Sequence, residues 1–266
     1  MTDTETLVTL SPSAEMTELL GELTRTLERL KRIPRPAAKA AAFDDLPVVA
    51  HARAMRLFLA ASRTEDRSPS ELLHHLSQEL GIMSAEDLHA RFRTLSEGSG
   101  VASLWRGIQS AASPDALLKN DMALGWGGFE TMPAKDSERR GAVTRRRMMT
   151  DYFRDAVDWT QLRALDLTNA AALILDAVDA EMFVDEQAAW WLKRVSVEAS
   201  VRAANWNEWA ASLLFGRVFS ALAVGVEEAR KVIRRDGAVL EELLQGSWQA
   251  MPWPRVKNEA GEITEG

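Results

Sequence analysis

The chain has 266 residues, 46% of them hydrophobic and 27% charged, which suits a soluble globular protein of one large domain or two small ones and excludes a disordered or fibrous chain. Asp and Glu (39) outnumber Lys and Arg (32) for a net charge of -7, which disfavours non-specific attraction to nucleic acid or to an anionic membrane. The absence of cysteine removes disulfides, thiolate metal sites and thiol nucleophiles. The acidic N-terminus lacks a basic segment followed by an apolar run, and no window carries the roughly 18 apolar residues of a membrane span, so the expected location is the cytoplasm.

Apolar residues recur at helical spacing from end to end, and the expected fold is all-α: a multi-helix globular bundle with a Trp-rich C-terminal half. Ser11-Pro12 and Ser68-Pro69 read as helix starts, a side-chain cap followed by a proline whose missing N–H costs nothing there, and Glu71 completes a capping box with Ser68. The first helix carries Leu19, Leu23, Leu27 and Leu30 and stops before Pro34 and Pro36. Val48, Ala52, Met55 and Leu59 form the second apolar stripe, and Leu72, Leu73, Leu76 and Leu80 the third. Gly81 supplies a left-handed C-terminus, and Ser84 opens a helix bearing Leu88, Phe92 and Leu95. This N-terminal helical part covers 1–100. An irregular connector is expected over 101–137, where Gly and Pro interrupt short apolar pieces, Gly125 to Gly128 reading as a turn. A C-terminal helical part over 138–256 follows, with helices expected at about 138–157, 160–182, 186–203, 206–222 and 226–245. The alternative is one continuous domain.

Two residues stand out chemically. Asp166 shares a helical face with Leu162, Asn169 and Leu173 and should point inward, where a carboxylate requires a cation or several donors. Arg217, on a face with Trp206, Trp209, Ala210 and Leu213, is its expected partner, on a helix capped by Asn205 and Glu208. Two readings stand open: a buried Asp–Arg bracket between helices, or an Asp general base and Arg anion clamp in a pocket.

The run Arg139, Arg140, Arg145, Arg146 and Arg147 is either a solvated face or a site for an acidic partner, and the expectation is partner binding with little effect on folding. Trp190, Trp206 and Trp209 read as core. Trp248 and Trp253 lie in a short tail that either folds back as a lid on the chain's own helices or docks a partner, and Trp159 belongs to the same aromatic set. His51, His74, His75 and His89 lack zinc spacing and read as surface or packing residues, and no metal or cofactor is expected. The acidic residues from Asp176 to Glu186 lack the pattern of a calcium loop, and Asp185 reads as a helix cap. Nucleophile-elbow, phosphate-loop and dinucleotide motifs are missing.

Several segments in order resemble the bacterial domain-of-unknown-function family 1266, the YbeU-like proteins. They are residues 79–88 (ELGIMSAEDL), 164–166 (ALD), 186–190 (EQAAW), 205–217 (NWNEWAASLLFGR, with Trp206, Trp209, Gly216 and Arg217), Ser247-Trp248 and Pro252-Trp253. Where the family has Trp-Asp and, three residues on, Arg, this chain has Leu165-Asp166 and Asn169. The resemblance implies an all-α fold without established chemistry, and an immunity or accessory role beside bacterial toxins or secreted effectors. The expected function is therefore a non-catalytic protein-binding protein with a protein partner. The alternative is a small-molecule enzyme or ligand-binding domain built around Asp166 and Arg217.

Overall fold

The computed structural model describes residues 12–34, 41–42, 48–61, 68–97, 100–111, 136–158, 162–249 and 251–255. The fold is all-α apart from one short parallel pairing, β1 (Ala41–Ala42) beside β2 (Pro254–Arg255). The helices are α1 (Ala14–Lys31), α2 (Val48–Ala61), α3 (Pro69–His74), α4 (Ala85–Ser96), α5 (Val101–Ser110), α6 (Asp136–Tyr152), α7 (Arg163–Asp179), α8 (Asp185–Arg202), α9 (Trp206–Ala221) and α10 (Val226–Gln245). Among the described residues no helix is long and apolar enough to cross a membrane.

Local chemistry sets several of the helix ends. Ser68 and Glu71 form the expected capping box, and the Ser84 hydroxyl accepts from the Asp87 backbone N–H. Asn205 Oδ1 accepts from the N–H groups of Asn207 and Glu208, while Glu208 reaches back to the N–H of Ala204. Gly81 takes the left-handed conformation (φ 67°) that ends a helix without a steric penalty. Three expectations are corrected. Ser13, not Ser11, accepts from the N–H of Met16 at the start of α1; Ser11 lies outside the described residues. Val184 occupies the cap position of α8, making Asp185 its first helical residue. The third stripe is incomplete: Leu72 and Leu76 are buried, Leu73 is exposed, and Leu80, after a π-helical turn over His75–Glu79, is half-buried.

The expected connector contains a helix, α5, which buries Val101, Ala102, Leu104, Trp105 and Ile108. Its signal was diluted by Gly100, which sits at the N-cap, and by the internal Gly107. Residues 112–135, including the turn expected at 125–128, lie outside the described residues.

The chain forms two compact units, each gathered from three stretches. Met1–Arg29, Gly98–Leu165 and Ala211–Gly237 make the first; Leu30–Glu97, Asp166–Ala210 and Ala238–Gly266 make the second. In the first unit, Trp105 stands edge-on to Phe215 and Phe219, each 5.3 Å away, and Phe153 lies 5.0 Å from Phe215. A Cβ at Gly216 would come within 3.1 Å of Leu165 Cβ, so glycine permits the close approach of α9 to that residue. In the second unit one cluster gathers His89, Phe92, Phe183 and Trp191, and another gathers His51, Trp206, Trp209, Trp248 and Trp253.

Candidate functional site

Asp166 is fully buried on α7, as its position among leucines requires, and Asn169 is half-buried on the same helix. The expected partner is corrected. Arg217 Nε donates to Oδ2 of Asp236 at 3.0 Å, and Arg235 Nε donates to Oδ1 of the same carboxylate at 2.7 Å. Asp236 is completely buried, whereas the Arg217 side chain is 31% exposed. Two guanidinium donors thus compensate one buried carboxylate, which alone would cost several kcal/mol of desolvation. The Asp236 hydrogen bond also raises the pKa of Arg235 above its ordinary value. Asp236 was legible in principle: it sits on the apolar stripe of Val232, Ile233 and Leu240, the same anomaly that singled out Asp166.

The arginine run is corrected more deeply. Arg139 and Arg140 remain half-buried and exposed, but Arg146 is 0% exposed and Arg147 only 2%. Backbone carbonyls are among the partners of each. The last carbonyls of a helix have no intrahelical donor and carry the negative end of its dipole, so a guanidinium there gains both hydrogen bonds and charge compensation. Arg145 donates to the carbonyls of Leu222 and Ala223 at 2.7 and 2.8 Å, and Arg146 donates to Phe219 and Ser220 at 3.2 and 3.3 Å; together they cover the C-terminal end of α9. Arg146 also lies 5.3 Å from the Phe219 ring centroid. Arg147 donates to the carbonyls of Ile108 and Ala111 at the end of α5 and pairs with Asp151 at 2.9 Å. Burial, and next the charge of Arg146, lower the pKa of Arg145 from its ordinary value. The three side chains are structural members of the first unit rather than a free cationic face.

The tail folds back as a lid on its own unit. Trp248 stacks on Trp206 at 4.5 Å and its indole N–H donates to Ala54 O at 2.7 Å, while Trp253 stands edge-on to Trp206 and donates to Ala203 O at 2.8 Å. Trp206 returns a bond from its own Nε1 to Met251 O at 3.0 Å. His51 is enclosed by Trp206 and Trp253, with Nδ1 2.9 Å from the Ser196 hydroxyl, and burial lowers its pKa to about 3. This histidine is therefore a neutral packing residue. The expectation that Trp206 and Trp209 are core holds, since both are fully buried. Trp159 lies outside the described residues.

Trp190 departs from expectation. Its neighbour Trp191 turns inward onto His89 and Phe92, and because consecutive helical residues point about 100° apart, Trp190 faces outward at 61% exposure. At helical spacings along the same face of α8 follow exposed Arg194, half-buried Val197 and exposed Val201. Exposed Lys193 flanks them. Among the side chains that sequence reasoning passed over, Arg56 bridges Asp176 and Asp179 at the end of α7. Asn207 donates to the carbonyl of Leu30 in the last turn of α1 and to that of Ile33 just beyond it. Among the described residues no group of three or more His, Asp or Glu is placed to hold a metal ion.

The family model described as "Protein of unknown function (DUF1266)" matches residues 75–257, more than half of the chain, and the chain belongs to that family. No curated protein and no solved structure matches it.

Proposed function

We propose that this chain is a non-catalytic, cytoplasmic protein-binding protein that holds its partner on the outward face of α8. The observation that carries this reading is Trp190, whose large ring is held edge-on by Trp191 at 4.8 Å and left mostly in solvent. Tryptophan and arginine dominate the energetics of protein interfaces because one side chain combines a large apolar area with polar or stacking contacts. Trp190 with Val197 and Val201 supplies an apolar centre, and Arg194 and Lys193 supply a cationic edge. Such a face fits a partner with an apolar pocket rimmed by carboxylates. In its finer form the proposal makes the partner a toxin or secreted effector and this chain its immunity or accessory protein, the role implied by the family resemblance.

The test is co-purification from the native host with the wild-type chain and with Trp190→Ala, followed by mass spectrometry and by measurement of affinity for the retained protein. The expected result is a specific partner whose binding weakens by about 2 kcal/mol or more on truncation of the ring, with an unchanged melting temperature. Undiminished binding by Trp190→Ala rejects the α8 face. A partner with no toxic activity on expression by itself rejects the finer form.

A further inference from the structure

Helices α1 and α10 approach closely within the first unit, where a Cβ at Gly237 would lie 3.2 Å from Thr26 Cγ2. Along their shared surface the charges change character. Toward the start of α10, Arg230 is matched by Glu18, Glu22 and Glu227. Further along α1 the side chains facing the groove become Arg25 and Arg29, and from α10 comes Arg234. These three arginines, with Glu22, Thr26 and Ile233, line an open groove of about 490 Å³. Thr26 and Ile233 are buried beneath it.

The groove holds three guanidiniums and one carboxylate. That carboxylate is already shared: Glu22 accepts from Arg234 at 3.2 Å and lies 3.6 Å from Arg230. Arg234 is 70% exposed and Arg25 is exposed, so both keep donors directed to solvent. Two guanidiniums open to solvent side by side oppose the overall field of a chain of net charge -7. Guanidinium groups match oxyanions through paired N–H donors, and phosphate has the acceptor oxygens to engage more than one of them. The volume falls within the range of small-molecule sites.

We infer that the groove between α1 and α10 binds a small phosphate-bearing molecule with more than one negative charge, through Arg25 and Arg234. This site is independent of the α8 face. The probe is inorganic pyrophosphate, titrated calorimetrically into the full-length chain at constant ionic strength, with citrate as the carboxylate counterpart and Arg25→Gln, Arg234→Gln and Arg53→Gln as variants. Pyrophosphate should saturate one site and bind more tightly than citrate. Arg25→Gln and Arg234→Gln should each weaken it about tenfold or more, the loss of a charge-assisted hydrogen bond. Arg53→Gln, which removes an exposed charge from α2, should leave it unchanged. Three results overturn the assignment: no saturable binding below about 1 mM, citrate binding as tight as pyrophosphate, or an equal loss in Arg53→Gln. Unchanged melting temperatures of the variants establish that each is folded.

Discussion

The indole nitrogen of Trp253 donates to the carbonyl oxygen of Ala203 at 2.8 Å, at the residue that caps the C-terminus of α8. Similar exchanges join Trp248 to Ala54 and Trp206 to Met251, so the tail is fixed by polar bonds as well as by ring burial. The combination matters because a buried indole N–H without an acceptor would cancel much of what its ring contributes.

The tail therefore contributes to folding. Trp248→Ala should destabilise by about 3 to 5 kcal/mol, the usual cost of removing a fully buried Trp. Trp248→Phe keeps most of the apolar area and should cost less, by an amount that includes one hydrogen bond of about 1 kcal/mol. Truncation from Ser247 onward should lower the urea midpoint and expose apolar surface to a hydrophobic dye. A truncated protein with an unshifted midpoint would show that the tail does not stabilise its unit.

Arg147 and Asp151 form the second test, since both side chains are only 3% exposed and the guanidinium also serves the carbonyls of Ile108 and Ala111. Arg147→Met should cost about 3 kcal/mol, because two helix-end carbonyls lose a donor while the buried Asp151 carboxylate keeps only Arg154 of its two guanidinium partners. Replacing Asp151 by Leu in the same protein should recover part of that loss, as the half-compensated buried charge disappears and the partly exposed Arg154 turns to water. The check is a double-mutant cycle by urea unfolding. If Arg147→Met unfolds at the wild-type midpoint, the buried-arginine account is wrong.

These two cases mark where the sequence could be read and where it could not. The ends of α9 and α10 and the caps at Ser68, Ser84 and Asn205 were legible because each depends on residues within one or two helical turns. The tail rings were legible for a related reason: large apolar area in a segment rich in proline must find cover. The arginine run was misread because its acceptors are backbone carbonyls of Phe219, Ser220, Leu222 and Ala223, far along the chain, which carry no mark in composition. Trp190 was assigned by the company of its neighbours, although two adjacent tryptophans on one helix cannot both face the same core. The pairing of Arg217 with Asp236 rather than Asp166 rests on tertiary choice between two carboxylates that present the same sequence signal.

His51 supplies a test in pH. Burial against Trp206 and Trp253 disfavours its charged form and lowers its pKa from 6.5 to about 3, and its Nδ1 faces the Ser196 hydroxyl, not a carboxylate. The folded protein therefore keeps the ring neutral at pH values where the unfolded chain takes up a proton. The contribution to stability is complete above the unfolded pKa near 6.5 and is lost progressively as pH falls toward about 3, at up to ~1.4 kcal/mol per pH unit. Carboxylates titrate in the same range, so the informative quantity is a difference between two proteins. The comparison is with His51→Phe combined with Ser196→Ala, which keeps an aromatic ring and removes the hydroxyl that would otherwise lose its partner. Urea unfolding between about pH 7 and pH 4.5 should show wild-type stability falling more steeply by close to one proton. The double variant should differ little at pH 7, since the buried Nε2 of His51 has no hydrogen-bond partner to lose, and should become the more stable protein as the solution is acidified. Parallel pH dependences would show that His51 takes up its proton in the folded protein as readily as in the unfolded chain and would overturn its assignment as a neutral packing residue.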